Sequence, residues 1–458
     1  MSSKSLPQPP VYDPLIASSP GTGEEHVPSY WLATADGAPA DDGPVYTPVD
    51  AEVAIIGGGY TGLSCAYHLA RDHGIKAVVL EANRPGWGGS GRNGGFARAA
   101  IGRHSPAKMI ELWGHDVARR VFRESLAAVQ VVRDLMRDGS IDCDALEAGH
   151  LRIAHRPERA AALQREADLL RRGFDYPAEF ITAETLRDQH IGGTQSHGAL
   201  RFPDAIGLHP LKLVHGVLRM ARATGSKVYS ASPVLGWEKK GGEHLLTTPG
   251  GRVLARKVVL ATNGYTPEHL HACIRDTTLP VLSHVIVTRP MTAEEKQACR
   301  FYTDHVLTDT RNLLYYWRRM PDDRILFGGR GQITDAPDGR VKQREFLLAE
   351  LKSKLPPLEN ITVDHDWCGW VCITADFVPH IHHAEDDASV HYALGYQGSG
   401  VACSLYAGKL LARRIVGGEA EHPLPPAGTP LPRFPFAALR RLGQRAMFMW
   451  YRYRDNRD

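Results

Sequence analysis

Apolar and polar positions near residue 50 follow the order strand, helix, strand. An apolar run at residues 51–56 ends in glycines, a helical repeat of apolar positions follows at 63–71, and a second apolar run at 76–80 ends in an acid. Short apolar runs separated by helical periodicity are typical of parallel strands joined by a crossover helix. The pattern therefore predicts an α/β fold that begins with a βαβ unit.

Both patterns recur along the rest of the chain, and no internal repeat is evident. Helical periodicity predicts helices over residues 106–137, 157–173 and 208–224. Strand-like runs occur at residues 149–154, 228–235, 253–261, 283–288, 311–319 and 324–328. The segment 391–416 predicts a strand, a glycine turn and a long helix. Strands and helices are thus interleaved along the whole chain.

The turn inside the first βαβ unit has the glycine spacing of a dinucleotide-binding loop. Gly57 permits the tight turn, Gly59 lets the backbone approach a pyrophosphate, and Gly62 lets the helix pack closely on the strand. The helix N-terminus offers N–H groups to phosphates, and Glu81 is placed to accept hydrogen bonds from ribose hydroxyls. The alternative is a purely structural turn. The predicted site also includes Tyr60, Thr61 and Ala82.

A second glycine-rich loop follows the ribose-binding acid, with six glycines in residues 86–95. A nicotinamide-binding domain would normally continue with an ordinary helix and strand, whereas this loop suits an extended cofactor that runs along bare backbone. Polar side chains in the loop can donate to a pyrophosphate or to a flavin edge. The alternative is a flexible surface loop. The loop residues predicted to contact the cofactor are Gly89, Ser90, Gly91, Arg92, Asn93, Gly94 and Gly95.

Together with residues 57–62, the motifs at 90–95, 260–265 and 395–401, in this order, resemble the FAD-dependent D-amino-acid oxidase superfamily and its γ-glutamylputrescine oxidase-like branch. The resemblance extends over about residues 28 to 455. It implies a Rossmann-like FAD/NAD(P)-binding domain with glutathione-reductase-type FAD binding, interleaved with a mixed-sheet substrate domain. It also implies a main-chain contact of Val234 with adenine. Further implied FAD contacts are Ala261, Thr262, Asn263, Gly264, Gly398, Ser399, Gly400 and Val401.

This interleaving predicts seven segments. They are an extended N-terminal arm (1–50), three parts of the FAD-binding domain (51–147, 208–274 and 365–425), two parts of the substrate domain (148–207 and 275–364) and a basic aromatic C-terminal tail (426–458).

The strand-like segment 313–319 supplies the first candidates for the substrate pocket. At strand period, Tyr316 and Arg318 share one face, whereas Tyr315 and Trp317 share the other. We expect the first pair to bind a substrate carboxylate and the second pair to wall an amine. The alternative is that one pair lies in the core, the other is solvated, and neither contacts substrate.

The resemblance adds further candidates. Trp370 matches a segment that crosses the flavin in relatives, and His284 lies on a strand that borders it, although a structural histidine is the alternative. Some relatives attach flavin through a cysteine, but Cys368 and Cys372 are out of register with that position, so we expect non-covalent FAD. Relatives also carry a lysine that promotes reaction with oxygen. The corresponding strand, 324–330, has none, which leaves oxidase and dehydrogenase activity both open.

The implied reaction is the oxidation of a C–N bond by hydride transfer to flavin N5, which gives an imine that hydrolyses. The expected substrate is a polyamine, an acylated polyamine or an amino acid, and the acceptor is O2 or another electron acceptor. Apolar walls would favour the neutral amine, since burial lowers an amine's pKa. Alternatives are a demethylating enzyme of sarcosine type, an amino-acid dehydrogenase and a flavin-binding protein without turnover.

Composition narrows the class of protein further. A net charge of +3 gives no argument for a nucleic-acid partner, and seven cysteines, an odd number, suggest a reducing compartment. Residues 1–10 lack a signal-like apolar run, and no stretch of eighteen apolar residues is present, so we expect a cytoplasmic protein without a membrane span.

Two smaller features carry weaker expectations. His380, His382 and His383 lack a surrounding cysteine or carboxylate framework, so we expect a surface cluster and no metal. The tail at 434–457 mixes aromatic residues with arginines, and it either packs on its own protein or lies on a membrane surface. The oligomeric state stays open.

Overall fold

The computed structural model of the chain describes residues 12–417 and 422–457. The expectation drawn from residues 1–10 lies outside these ranges. In the described part, no helix is long and apolar enough to cross a membrane. The helices are α1 (Tyr30–Thr34), α2 (Tyr60–His73), α3 (Gly89–Arg92), α4 (Pro106–Asp138), α5 (Pro157–Phe174), α6 (Ala183–Gln189), α7 (Pro210–Ala223), α8 (Ala293–Ala298), α9 (Pro337–Lys354), α10 (Gly400–Ile415) and α11 (Arg440–Arg457).

The strands form two eight-stranded sheets and one two-stranded ribbon. They are β1 (Val49–Ile56), β2 (Val78–Leu80), β3 (Phe96–Arg98), β4 (His150–Ile153), β5 (Glu179–Ile181), β6 (Ala199–Phe202), β7 (Ala205–Gly207), β8 (Lys227–Tyr229), β9 (Gly236–Lys240), β10 (Glu243–Thr247), β11 (Arg252–Leu260), β12 (Leu279–Thr288), β13 (Val306–Asp309), β14 (Tyr316–Arg319), β15 (Ile325–Arg330), β16 (Val363–Ile373), β17 (His380–His383) and β18 (Val390–Leu394).

The first sheet has the order β17-β18-β11-β1-β2-β8 and is parallel from β18 to β8. Strand β11 is long enough to pair with β10 through its first half and with β18 through its second half. All residues of β18 and the last four of β1 are buried, as expected for parallel strands covered on both faces. Helices α2, α7 and α10 pack together against this sheet, and Leu63 and Leu405 lie in the shared core.

The second sheet has the order β16-β12-β15-β14-β13-β4-β6-β5 and is mixed, because β4 and β13 are parallel whereas the other pairs are antiparallel. Its core combines aromatic residues of the strands with Leu347 and Leu351 of α9. The ribbon β3–β7 pairs residues 96–98 with 205–207. In the sequence, each of its two strands stands between a strand of one large sheet and a strand of the other. The two sheets are thus built from alternating stretches of sequence.

Several side chains anchor the N-terminal arm to the rest of the protein, Tyr30 and Trp31 among them. Trp31, in the short helix α1, is fully buried and donates from its indole Nε1 to the carbonyl of Asn93 at 2.8 Å. Ser29 caps this helix by accepting from the N–H of Leu32. The extended arm expected from composition therefore contains a helix that packs beneath the second glycine loop.

The C-terminal tail ends in helix α11, which packs one face on the rest of the protein. The buried carboxylate of Asp455 accepts hydrogen bonds from the N–H groups of Asn312 (2.8 Å) and Leu313 (3.0 Å). Phe448 of the same face lies in a small core cluster with Leu313. This part of the tail packs on its own protein.

Candidate active site

A cavity of about 620 Å³ joins the edge of the first sheet to the second sheet. Its lining begins at the first glycine turn with Gly57 and Glu81, passes the second glycine loop, and reaches Ser283 and Tyr316 of the second sheet. The volume falls within the range of pockets that hold small ligands and cofactors. Most of the chemistry-bearing candidates from the sequence lie along this cavity.

The first glycine turn leaves the carboxyl end of β1 and enters α2. Gly57 has φ +110°, a conformation that favours glycine, and a Cβ there would lie 2.8 Å from the carbonyl oxygen of Ala261. A Cβ on Gly62 would overlap the carbonyl oxygen of Gly57. The N-cap residue of α2 is Gly59, which has no side chain that could cap the helix. The turn therefore presents the N-terminus of α2 to the cavity with bare backbone.

Glu81 ends β2 at the cavity wall. Its carboxylate accepts hydrogen bonds from the N–H groups of Gly58 (2.7 Å) and Asn83 (3.0 Å). Burial raises the pKa of the Glu81 carboxyl, and these backbone donors oppose the rise. Each carboxylate oxygen keeps acceptor capacity beyond its single backbone donor. Residues 18–20 of the N-terminal arm line the same end of the cavity, a contribution that the sequence pattern did not indicate.

The second glycine loop is held against the first one. Ser90 Oγ accepts from the N–H of Tyr60 at 2.9 Å, and a Cβ on Gly59 would lie 2.8 Å from the same oxygen. Gly89, unlike Gly59, has room for a side chain, because a Cβ there would meet nothing closer than 3.7 Å. Gly89 also lines the cavity. A side chain at position 89 would therefore occupy cavity space.

Two polar side chains of this loop donate hydrogen bonds to carbonyl groups of the loop itself. Arg92 donates from Nε to the carbonyl of Trp87 at 2.9 Å and stacks over that indole at 4.5 Å. Asn93 donates from Nδ2 to the carbonyl of Ser90 at 2.9 Å. Both line the cavity, but the donors predicted for a ligand are engaged in shaping the loop. Contact of these two side chains with a cofactor stays a prediction.

The third glycine motif places the N-terminus of α10 at the cavity. Gly398, with φ +96°, and Gly400 both line it, and a Cβ on Gly400 would meet nothing closer than 3.7 Å. The side chain of Ser399, the N-cap residue, forms no capping hydrogen bond with α10. Asn263 Oδ1 accepts from the N–H of Gly395 at 3.0 Å, which ties this turn to the end of β11. Two helix N-termini thus face one cavity, an arrangement that suits negative charge at both places.

Four of the predicted cofactor contacts lie outside the cavity lining: Gly62, Gly91, Gly95 and Gly264. Close backbone packing explains why glycine occupies these positions. A Cβ on Gly264 would lie 2.6 Å from the carbonyl oxygen of Trp370, and one on Gly95 would overlap the carbonyl oxygen of Leu208. The other predicted contacts line the cavity: Gly57, Gly59, Tyr60, Thr61, Glu81, Ala82, Gly89, Ser90, Arg92, Asn93, Gly94, Val234, Ala261, Thr262, Asn263, Gly398, Ser399, Gly400 and Val401.

Two of the four predicted substrate residues, Tyr316 and Trp370, line the cavity. The Tyr316 hydroxyl is 2.9 Å from Ser283 Oγ, and burial raises the pKa of that phenol. Arg318 lies on the same strand but does not reach the cavity, since it donates to the carbonyl of Leu208 at 2.8 Å and sits 5.4 Å over the ring of Trp31. This position does not support a carboxylate-binding role for Arg318.

His284 also lies away from the cavity, because the strand alternates. Its neighbours Ser283 and Val285 line the cavity, whereas His284 lies outside the lining. Burial lowers the pKa of His284 to about 4, and its Nε2 has no hydrogen-bond partner in the described structure. The position favours a buried neutral imidazole over a catalytic one.

The other face of β14 belongs to the core of the second sheet. Tyr315 stacks on Phe327 at 5.2 Å, and Trp317 lies 6.1 Å from the same ring. Lys354 Nζ sits 4.9 Å from the Trp317 ring. Neither aromatic lines the cavity, so the amine wall predicted from these two side chains is instead hydrophobic core.

Six arginines that no sequence motif singled out line the cavity, and Arg98, Arg103 and Arg330 are three of them. Arg98 Nη2 donates to Ser399 Oγ at 3.0 Å, and Arg330 Nη2 donates to the carbonyl of Gln397 at 3.3 Å. None of the three forms an ion pair with a carboxylate of the described residues. The only signal in the sequence was Arg330, at the end of the strand that was searched for lysine.

Burial sets the electrostatics of these arginines. It lowers the pKa of Arg98 to about 10 and that of Arg330 to about 9, and their mutual repulsion with Arg103 contributes to the shift of Arg330. A guanidinium stays protonated at neutral pH, so the downward direction of both pKa shifts reflects the cost of removing these cations from water beside other cations. Buried charge without a partner is costly, and an anionic ligand group would relieve it.

The cysteine and histidine candidates stand apart from the cavity. The thiols of Cys368 and Cys372 are buried outside its lining, and burial raises the pKa of the Cys372 thiol to about 12. His380 is 3.1 Å from Asp376 Oδ2. Among the described residues, no group of three histidine, cysteine or acidic side chains is arranged to hold a metal ion.

Three kinds of feature indicate that the site fits a stretched dinucleotide such as FAD. Gly89 and Gly400 leave space that a Cβ would fill, and two helix N-termini face the cavity. An acid lies where a ribose-binding group is expected, at Glu81.

The family model described as "FAD dependent oxidoreductase" matches residues 52–414. Gamma-glutamylputrescine oxidoreductase of Escherichia coli is 30% identical over 419 residues, which cover 91% of this chain and 95% of that protein. A probable oxidoreductase, OrdL, of Haemophilus influenzae is 30% identical over 401 residues, which cover 86% and 90% of the two chains.

The fold is similar to solved flavoenzymes. The crystal structure of glycine oxidase from Geobacillus kaustophilus superposes with a TM-score of 0.68 at 21% identity, covering 84% of this chain and 100% of that one. The predicted fold class, an FAD-binding Rossmann-like part with a mixed-sheet substrate part, is confirmed.

Proposed function

The chain belongs to the family of FAD-dependent oxidoreductases, and from this premise we propose that it oxidises a C–N bond of an amine that also carries a carboxylate. Enzymes of this family act on amines and amino acids. Named relatives include a γ-glutamylputrescine oxidoreductase, a glycine oxidase of Bacillus subtilis and a sarcosine oxidase subunit. γ-Glutamylputrescine, glycine and sarcosine each contain an amine and a carboxylate.

The observation that carries the proposal is the arginine cluster in the cavity. Arg98 and Arg330 each donate to a neutral oxygen, and both residues line the cavity. Arginine donates in a planar fork that matches a carboxylate. A substrate carboxylate placed there would neutralise part of the buried charge and fix one end of the molecule.

The same cluster favours the reactive form of the amine. An ammonium brought into the cavity would lose hydration and would also face the guanidiniums of Arg98 and Arg330, and both effects lower the amine's pKa. Phe96, Tyr316 and Trp370 add aromatic surface to the lining. The protein residues therefore hold the substrate as a neutral amine next to a bound carboxylate, without requiring a dedicated general base.

Residues of the three glycine motifs hold FAD in the proposal. The cofactor, when bound, supplies a ring that accepts the hydride from the carbon next to the amine. The N-terminus of α2 and the bare backbone at Gly59 suit the pyrophosphate, Glu81 suits the ribose, and the N-terminus of α10 suits the electron-rich edge of the ring. The Cys372 thiol lies outside the cavity, which supports non-covalent attachment.

Tyr316 and Ser283 form a polar pair on the cavity wall of the second sheet. Their oxygens lie 2.9 Å apart, so one hydroxyl donates to the other and one proton remains for a ligand. In the proposal this pair positions the substrate amine or carboxylate opposite Trp370. Tyr316 is then a substrate-binding residue, and Arg330 replaces Arg318 as the carboxylate partner.

Paired substrates test the proposal. The holoenzyme is assayed with γ-glutamylputrescine, glycine and sarcosine, and with amines that match them but lack the carboxylate. The expected result is a kcat/KM at least about 100-fold higher for one carboxylate-bearing member of a pair, the size of effect that a charge-assisted hydrogen bond to a buried anion gives. Turnover that is equal with and without the carboxylate would reject the substrate class.

Products and acceptors separate the remaining alternatives. Ammonia among the products indicates a primary amine, whereas formaldehyde indicates demethylation of sarcosine type. Peroxide formed at each turnover indicates an oxidase, whereas reduction of an added dye with slow reaction toward O2 indicates a dehydrogenase.

A further inference from the structure

Helix α11 carries an apolar stripe on the side that faces solvent. Leu442, Met449, Trp450 and Tyr453 are spaced at i, i+7, i+8 and i+11, so they share one face of the helix. Their exposed fractions are 62%, 65%, 54% and 48%. We refer to these four residues as the outer stripe.

The inward face of the same helix is more polar than the outer one. Its buried residues are Gln444, Phe448 and Asp455, spaced at i, i+4 and i+11, and Asp455 is fixed by hydrogen bonds from Asn312 and Leu313. A surface helix of a globular protein normally buries its apolar side. Helix α11 is thus held on the protein by Asp455 and Phe448, and its outer stripe stays exposed.

The positive charge of α11 indicates what kind of surface its apolar side would contact. Helix α11 contains six arginines and one acid, and the acid, Asp455, is buried. Arg445 and Arg452 are exposed and border the outer stripe. The exposed surface is therefore apolar in the middle and basic at its edge. A second copy of this chain would bring an equally basic edge to the contact, which opposes a symmetric dimer through this face.

The aromatic residues fit a boundary between water and hydrocarbon. The rings of Trp450 and Tyr453 stack at 5.8 Å, and both side chains combine an apolar body with a polar tip. Phe436 and Leu439, just before the helix, are 84% and 57% exposed and extend the apolar surface. Such a segment lies in the plane of a membrane interface with its apolar face among the headgroups.

We propose that the outer stripe of α11 and its bordering arginines bind the protein peripherally to an anionic lipid surface. Arg441, on the inward side of the helix, lies 5.1 Å over the ring of Trp370, which lines the cavity. Binding through α11 therefore brings the lipid surface to the side of the molecule that contains the active-site cavity. The proposal is independent of the substrate and of the electron acceptor.

Flotation of the full-length holoenzyme with vesicles tests the proposal. Vesicles of phosphatidylcholine alone are compared with vesicles that also contain phosphatidylglycerol. The wild-type protein is expected to float with the anionic vesicles, to stay below with the zwitterionic ones, and to detach as salt is raised. The variant Leu442→Ser/Met449→Ser/Trp450→Ser is expected to stop floating while it keeps its melting temperature and flavin content, because these side chains are exposed and lie outside the cavity.

A charge variant with a matched control localises the effect. Arg445→Gln/Arg452→Gln is expected to lower the partition coefficient roughly 25-fold, at about fivefold for each arginine near the surface. Arg171→Gln/Arg172→Gln removes the same charge from exposed positions on α5 and is expected to leave binding unchanged. An equal loss in the control pair would overturn the assignment to α11.

Two further kinds of result would overturn the proposal. The first is a wild-type protein that floats with neither kind of vesicle, or a serine variant that floats as well as the wild type. The second is self-association in the absence of lipid that the serine variant abolishes, which sedimentation equilibrium would detect. That result would make the outer stripe a contact between copies of the chain.

Discussion

Replacement of Arg330 by methionine separates substrate anchoring from every other role of the cavity. The side chain is partly buried at the end of β15, and its hydrogen bond to the carbonyl of Gln397 is long at 3.3 Å. Its remaining donors are available to a ligand in the cavity. Loss of a charge-assisted hydrogen bond to a buried carboxylate costs about 3 kcal/mol, which corresponds to roughly 150-fold in kcat/KM.

The expected loss depends on the substrate. For a carboxylate-bearing amine, kcat/KM falls roughly 150-fold in Arg330→Met, mostly through KM, since the carboxylate is held equally in the ground state and in the transition state. For the matched amine without the carboxylate, the change stays below about threefold. Flavin content is unchanged, and the melting temperature of the flavin-free protein is the same or higher, because an unpaired buried charge has been removed.

Arg340→Met is the matched control for this prediction. Arg340 forms an ion pair with Asp335 and lies outside the cavity lining, so its replacement should leave both substrates unaffected. The reasoning is refuted if Arg330→Met lowers kcat/KM equally for the two substrates, or if it lowers neither. The first result would assign Arg330 to the cofactor or to the fold, and the second would leave Arg98 and Arg103 as the anchors.

Three further predictions follow from burial and space in the structure. Gly89→Leu should cut the flavin-to-protein ratio severely with little change in flavin-free stability, because the new side chain enters open cavity space; full flavin content would contradict it. Trp31→Ala should cost about 4 kcal/mol of unfolding free energy and loosen the loop at Asn93, and a loss below about 1 kcal/mol in denaturant titration would contradict it. Burial lowers the pKa of His68 and His284 to about 4, whereas a histidine in an unfolded chain has a pKa of about 6.5. Unfolding between these two pH values therefore takes up protons, and the free energy of unfolding should fall as the pH drops from about 6.5 to 4. A melting temperature that is constant across that range would contradict this account.

The cofactor part of the site was accessible from sequence because its chemistry is local. Turns such as Gly57–Gly59 need particular glycines within a few residues, and strand and helix flank them in the same stretch of chain. The two-domain architecture followed from the order of these motifs, and the fold class is confirmed. Residues such as Gly95 and Gly264 were assigned to the cofactor because spacing alone does not distinguish a ligand from a neighbouring carbonyl oxygen.

The substrate part was less accessible, because its residues come from strands that meet only in the folded protein. Strand alternation correctly separated Tyr316 from Tyr315, but it did not say which face was core, or that Arg318 would lie beneath Trp31. The arginine cluster joins β3 and β15, more than 200 residues apart in the chain. No local pattern marks such a cluster, since an isolated arginine on a short strand is usually solvated.

Anaerobic mixing of the flavin-loaded protein with a carboxylate-bearing amine tests the central claim most directly. The visible flavin band is expected to bleach to completion and one equivalent of carbonyl product is expected to form per flavin, with no acceptor present. A band that stays oxidised with every amine and amino acid of a broad panel, on protein with stoichiometric flavin, would contradict it.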